Sequence, residues 1–164
     1  MTMRKSVVAS SERTSGPDTL AAGDARWFDL EELAQIEVTS EDPKHPVEGA
    51  LVLGEDRGWR AGQGGPQTIR ILFDHPTPIR RMSLSFIEPE VTRTQEFVIR
   101  WSADGGRSLR DVVRQQWNFS PTGSAREAED YRVELSDVTV LELTIIPDVS
   151  GGAARASLAQ WRIA

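Results

Sequence analysis

Gln95-Glu96-Phe97-Val98-Ile99-Arg100-Trp101-Ser102, followed directly by Ala103-Asp104-Gly105-Gly106, is the stretch that decides the fold. Phe97, Ile99 and Trp101 alternate with Glu96, Val98 and Arg100, which is the period of two of a half-buried strand. Asp104-Gly105-Gly106 supplies the residue types that a hairpin turn needs. Residues 109–119 then resume the alternation, with Val113, Gln115, Trp117 and Phe119 set against Val112, Arg114, Gln116 and Asn118.

The pattern extends in both directions. Residues 68–74 place Ile69, Ile71 and Phe73 on one face, and residues 78–87 do the same with Met82, Leu84 and Phe86. Between them, Asp74-His75-Pro76-Thr77-Pro78 predicts a tight reversal. Residues 131–135, 138–146 and 156–163 complete the series of strands. Short strands at regular spacing with no intervening helices predict an all-β sandwich. Asp29-Leu30-Glu31-Glu32-Leu33 predicts one helical turn, capped by Asp29 with Glu32 at the reciprocal position. Residues 1–24 are polar and without periodicity and predict a mobile tail, leaving residues 25–164 as the single domain.

Composition narrows the chemistry. The 164 residues include no cysteine and two histidines, which excludes thiol catalysis, cysteine-held zinc and a disulfide framework. No cofactor or metal set is predicted, because neither a His-x-His pair nor a Gly-x-Ser-x-Gly elbow occurs. The net charge of −6 argues against nucleic acid and anionic membranes as partners. Within that balance, residues 51–120 carry 10 basic and 8 acidic side chains, a local +2. All but Lys5 and Lys44 of the cationic side chains are arginines, whose forked donors suit hydroxyls and carboxylates. No apolar stretch reaches the about 7–15 residues of a secretion signal or the ~20 of a membrane span, so a cytoplasmic location is predicted.

Few residues stand out for function. The Gly-rich run Gly58-Trp59-Arg60-Ala61-Gly62-Gln63-Gly64-Gly65-Pro66 lacks the Gly-Lys-Ser/Thr ending of a phosphate loop. Trp59 beside Arg60 instead suggests an aromatic face and a donor for a sugar ring, although Trp59 as core is the plainer reading. His45, in a long loop before Pro46, is a further candidate, whereas His75 reads as a turn residue. Arg93, just ahead of a strand, reads as a ligand contact; Arg81, Arg100 and Arg114 face outward by alternation, and Arg81 and Arg114 read as members of cross-strand ion pairs. Glu88/Glu90 and Glu41/Asp42 read as solvated carboxylates.

Four motifs together resemble the discoidin (coagulation-factor type C) domain family. They are Ile36-Glu37-Val38-Thr39-Ser40 with His45-Pro46, Ala50-Leu51 and Gly58-Trp59; residues 65–74; Ser102-Ala103-Asp104-Gly105-Gly106; and residues 156–163 at the end. The resemblance implies a galactose-binding-like jelly-roll sandwich of two antiparallel sheets, of the kind found in carbohydrate-binding modules. It implies a non-enzymatic module that binds a carbohydrate-like ligand through loops at one end, with a protein-interaction adaptor as the alternative. Carried over by position, the contacts it implies are His45, Trp59, Arg60 and Arg93, with Asn118 further away. Many members hold a structural calcium using acidic loop residues and a Glu in the last strand. Here Gln160 stands in that place, with Glu55 and Asp56 as the remaining acidic loop residues.

Overall fold

A computed structural model describes residues 3–7 and 27–164. Its strands are β1 (Lys5–Val7), β2 (Ala34–Val38), β3 (Trp59–Arg60), β4 (Gln67–Ile87), β5 (Arg93–Ser102), β6 (Arg110–Phe119), β7 (Arg126–Ile146), β8 (Ser157–Leu158) and β9 (Gln160–Ile163). Two single-turn helices, α1 (Leu30–Leu33) and α2 (Glu48–Leu51), flank β2 and its following loop. Hydrogen bonding runs β1-β2-β4-β7-β5-β6, β9 adds to β4, and β3 pairs with β8 alone.

β4 and β7 build both layers. Residues 67–73 of β4 lie between β2 and the end of β7, whereas residues 79–87 lie between β9 and the beginning of β7. The hairpin expected at Asp74–Pro78 is therefore absent, since residues 67–73 and 79–87 do not pair with each other. β4 instead bends there from one layer into the other and runs back toward the end at which it began. Its ladder to β7 skips between Leu72 and Thr77, where Pro76 has no N–H to give. β7 bends opposite, at Asp137, whose φ of 57° is the left-handed conformation that aspartate tolerates. The two strands read separately at 131–135 and 138–146 are thus one. The closing strand read at 156–163 divides instead at Ala159, whose N–H goes to the Ser85 carbonyl.

The alternating apolar residues fill the space between layers. Ile36, Ile69, Ile71, Phe97, Ile99, Leu141 and Leu143 from one layer meet Met82, Leu84, Phe86, Trp161 and Ile163 from the other. The Phe86 and Phe97 ring centroids are 5.2 Å apart, a contact worth about 0.5–1.5 kcal/mol beyond its buried area. On the outer face of the larger layer, Glu37, Arg70, Glu142, Arg100 and Asp111 come into cross-strand register as an alternating row of charge. Arg70 Nε is 2.7 Å from Glu142, and Arg100 Nε is 2.8 Å from Asp111. Arg114 likewise pairs with Glu96 and Arg81 with Asp130, the ion pairs expected of them.

Within the segment expected to be a tail, Lys5–Val7 departs from that reading: it runs parallel to Ile36–Val38 as β1, and Met3 is buried. The rest of that expectation, from residue 8 onward, lies outside the described residues. Asp29 caps α1 by accepting from Glu31 N–H, as its position suggested. The Asp104-Gly105-Gly106 hairpin is present. Asp104 accepts from Ser102 and the Ser108 N–H, which hold its pKa at about 2.

Candidate functional site

One end of the sandwich gathers the loops. β2 leaves there, β5 begins there, β6 ends there, and both ends of β7 and the C-terminal end of β4 close there. The longest connection, residues 39–66 between β2 and β4, carries His45, Trp59 and Arg60.

A polar node at Thr39-Ser40 shapes this connection. Both hydroxyls donate to Gln67 Oε1, at 2.7 and 2.6 Å, and Gln67 is itself buried. Ser40 Oγ accepts from Gly62 N–H, and its carbonyl accepts from the Trp59 indole N–H at 3.0 Å. Trp59 is 1% exposed, so its ring belongs to the core and presents no face to a ligand. The stacking role suggested for Trp59 is thereby corrected, because a buried partner for its N–H draws the ring inward. Gly58 N–H donates to Gly49, and a Cβ on Gly49 would sit 2.5 Å from the Gly58 carbonyl oxygen. Only glycine permits α2 to approach so closely.

With Trp59 turned in, alternation turns Arg60 out. Arg60 N–H donates to the His45 carbonyl and Asp42 N–H donates to the Arg60 carbonyl, so the two candidates are fixed side by side. Arg60 is exposed and the His45 side chain is 44% exposed. His45 Nδ1 lies 3.8 Å from Asp42 Oδ2. The Lys44 N–H, with His45 and Arg155 nearby, holds Asp42 below the ordinary carboxylate range. Asp42 and Arg155 were not singled out as site residues; the β3–β8 pairing and the Gly65–Arg155 bridge beside it, invisible in sequence, bring Arg155 near. Glu41 is also less free than expected: it accepts from Lys5 Nζ and the Val47 N–H.

Arg93 has a different role from that expected. Its side chain is 1% exposed, with Nε 2.7 Å from Glu88, and with one terminal nitrogen donating to Gln95 and to the Pro147 carbonyl. The guanidinium lies 4.8 Å over the Phe119 ring. Arg93 is a buried tie between the layers. Glu88 is its partner and not a solvated carboxylate. Burial pushes Glu88 up, but Arg93 and the N–H groups of Glu90 and Val91 hold it below its usual value. Asn118 is exposed on β6 and accepts from Thr94 Oγ1 at 2.7 Å. β6 lies four positions along the sheet from β2, about 19 Å at the usual strand spacing, so Asn118 stands apart from His45 and Arg60.

Two buried polar residues escaped notice in the sequence. Glu127 on β7 is 1% exposed, facing inward with one oxygen unpartnered and the other 3.4 Å from Gln95. Burial and then Glu129 push its pKa up to about 7. Arg162 on β9 donates to Ala50, Val52 and Glu55 carbonyls. The residues do not fit the calcium that the resemblance implies. Glu55 and Asp56 are exposed, Gln160 offers no charge, and a guanidinium already takes the Glu55 carbonyl. Among the described residues no group of three or more histidine or carboxylate side chains converges.

The architecture is a jelly-roll sandwich similar to the fold of family 32 carbohydrate-binding modules. The family 32 module of Clostridium perfringens NanJ, solved in complex with galactose, superposes with a TM-score of 0.58 at 16% identity, over 82% of this chain and 95% of that one. A family 32 module of AlyQ in complex with 4,5-unsaturated mannuronic acid gives 0.58 at 16% identity, over 81% and 95%. A third, from C. perfringens, in complex with GlcNAc-α-1,4-galactose, gives 0.60 at 13% identity, over 87% and 97%. No family model and no curated protein matches the sequence.

Proposed function

We propose that the chain is a carbohydrate-binding module that holds a sugar, without converting it, at the surface formed by His45, Arg60, Asp42 and Arg155. The observation that carries this reading is the fixed pairing of exposed Arg60 with half-exposed His45 at the loop end. The fold supports it, since similar structures were solved with galactose and with a galactose-containing disaccharide. Arg60 and Arg155 supply forked donors to ring hydroxyls, and Asp42, kept ionised, accepts from them. With Trp59 buried, recognition here is polar, and the affinity expected is correspondingly weak.

Calorimetric titration of galactose and galactose-containing disaccharides tests this. Arg60→Ala and His45→Ala should each lower affinity about tenfold, the loss of one good hydrogen-bonded contact to a polar ligand. Absence of binding across a glycan panel refutes the reading. A second reading, a protein-docking end, is favoured by Ile87, Val91 and Val149, all exposed, with Val149 N–H bound to the Thr94 carbonyl beside Arg93. A partner protein whose binding is lost in Val91→Asp but kept in Arg60→Ala would establish it.

A further inference from the structure

Arg162 is an outward residue by alternation, since Trp161 and Ile163 point into the core, yet it is only 8% exposed. The loop that begins at α2 covers it. One terminal nitrogen donates to the Ala50 carbonyl at 2.8 Å and to the Trp161 carbonyl at 3.3 Å. The other donates to Val52 at 3.2 Å and Glu55 at 3.3 Å. All four acceptors are main-chain oxygens. Burial alone lowers the Arg162 pKa, with no carboxylate among the described residues raising it. Convergent carbonyl oxygens around a buried positive charge make the coordination sphere of a hard cation, here filled by a side chain. Ala50, Val52 and Glu55 belong to the turn that leads through Gly58 to Trp59 and Arg60.

We propose that these carbonyls form a cation cage which the chain occupies with its own guanidinium, making Arg162 the positioning residue that fixes the Arg60 loop without a bound metal. The positioning of a sugar contact rests on the carbohydrate reading above; the cage does not. An internal cation cannot dissociate, so the loop should keep its shape when divalent ions are withdrawn. Arginine is also the side chain best suited to the place, because its planar fork reaches several oxygens at once, whereas an ammonium is a point charge.

Thermal unfolding of the full chain tests the cage. The wild type should melt at the same temperature, within about 1 °C, in EDTA and in millimolar calcium. Arg162→Lys should melt several degrees above Arg162→Met, which keeps a stem of similar reach but no charge. In Arg162→Ala, low-millimolar guanidinium should raise the melting temperature, while in the wild type it should not. A wild-type melting temperature that rises several degrees with calcium overturns the proposal, as does Arg162→Met equalling or exceeding Arg162→Lys. If neither variant folds, the wild-type comparison decides. For positioning, Arg162→Lys should bind galactose several-fold more weakly with Arg60 intact, and unchanged affinity overturns that half. If the wild type binds no sugar, the carbohydrate reading fails while the melting data still judge the cage.

Discussion

Arg93 and Arg162 are two buried arginines placed on different flanks of one sandwich, and their charges are balanced in different ways. Arg93 meets a carboxylate, Glu88, and adds an amide, a carbonyl and an aromatic face. Arg162 meets carbonyl dipoles only. A carboxylate balances a full charge but is itself titratable, whereas carbonyls balance it less completely at every pH. The first arrangement ties the layers together under a condition; the second holds a loop without one. Stability in this fold is thus coupled to protons on the Arg93 flank and indifferent to them on the Arg162 flank.

The largest expected effect follows from removing the better-balanced charge. Arg93→Met should cost about 3–5 kcal/mol in urea unfolding, because Gln95 and the Pro147 carbonyl lose a buried donor. A loss below 1 kcal/mol would mean that the flank repacks and that the tie is dispensable. Glu88→Gln should cost less, about 1–3 kcal/mol, since the amide oxygen still accepts and Glu88 is partly exposed. The wild type should also show an acid limb. Glu88 titrates below its unfolded value of 4.5, so its contribution is full above that value and is lost as pH falls through the lower folded one. Glu88→Gln should shrink that limb and leave the part carried by carboxylates such as Asp42 and Asp104, whereas changes at Arg162 should leave it whole.

Glu127 acts with the opposite sign. Its folded pKa of about 7 lies above the ordinary 4.5, so the native state holds a proton that the unfolded chain has released. Stability should therefore fall as pH rises from about 4.5 to about 7, by about 1–3 kcal/mol in all. Glu127→Gln should flatten that decline, leaving the variant more stable than the wild type at pH 8 and similar at pH 4. A parallel decline in both proteins would place the proton elsewhere. The smallest effect belongs to the solvent-facing end of the charged row, where Arg100 meets Asp111. Arg100→Ala should change stability by about 0–1 kcal/mol, and less in high salt.

Which of these features the sequence reveals depends on whether the cause is local. Alternation identified β5 and β6 and the hairpin between them because side-chain parity and turn chemistry reside in neighbouring residues. Extending the parity of Phe97 and Ile99 backward places Gln95 and Arg93 inward, so the burial of Arg93 was within reach of the same rule. The bend of β4 was not, because Pro76 and Pro78 have the same local chemistry in a turn as in a strand that skips its ladder. Trp59 could be read as core or as contact, and the deciding group, the Ser40 carbonyl, lies 19 residues away. Arg162 obeys parity and is buried all the same, since α2 covers it from 112 residues earlier in the chain at Ala50.

The alternating row Glu37, Arg70, Glu142, Arg100 and Asp111 has a consequence for assembly of the sheet. Its members come from five strands scattered along the chain, which must find their alignment after long excursions. On the same face of β7, the neighbours two residues from Glu142 are Val140 and Thr144, neither of which offers a charge to Arg70. A strand sliding by one pair of residues would keep its apolar face inward and lose its ionic partners. The row thus acts as a vernier, modest in energy once aligned, that distinguishes the correct alignment from its nearest and otherwise well-packed competitor.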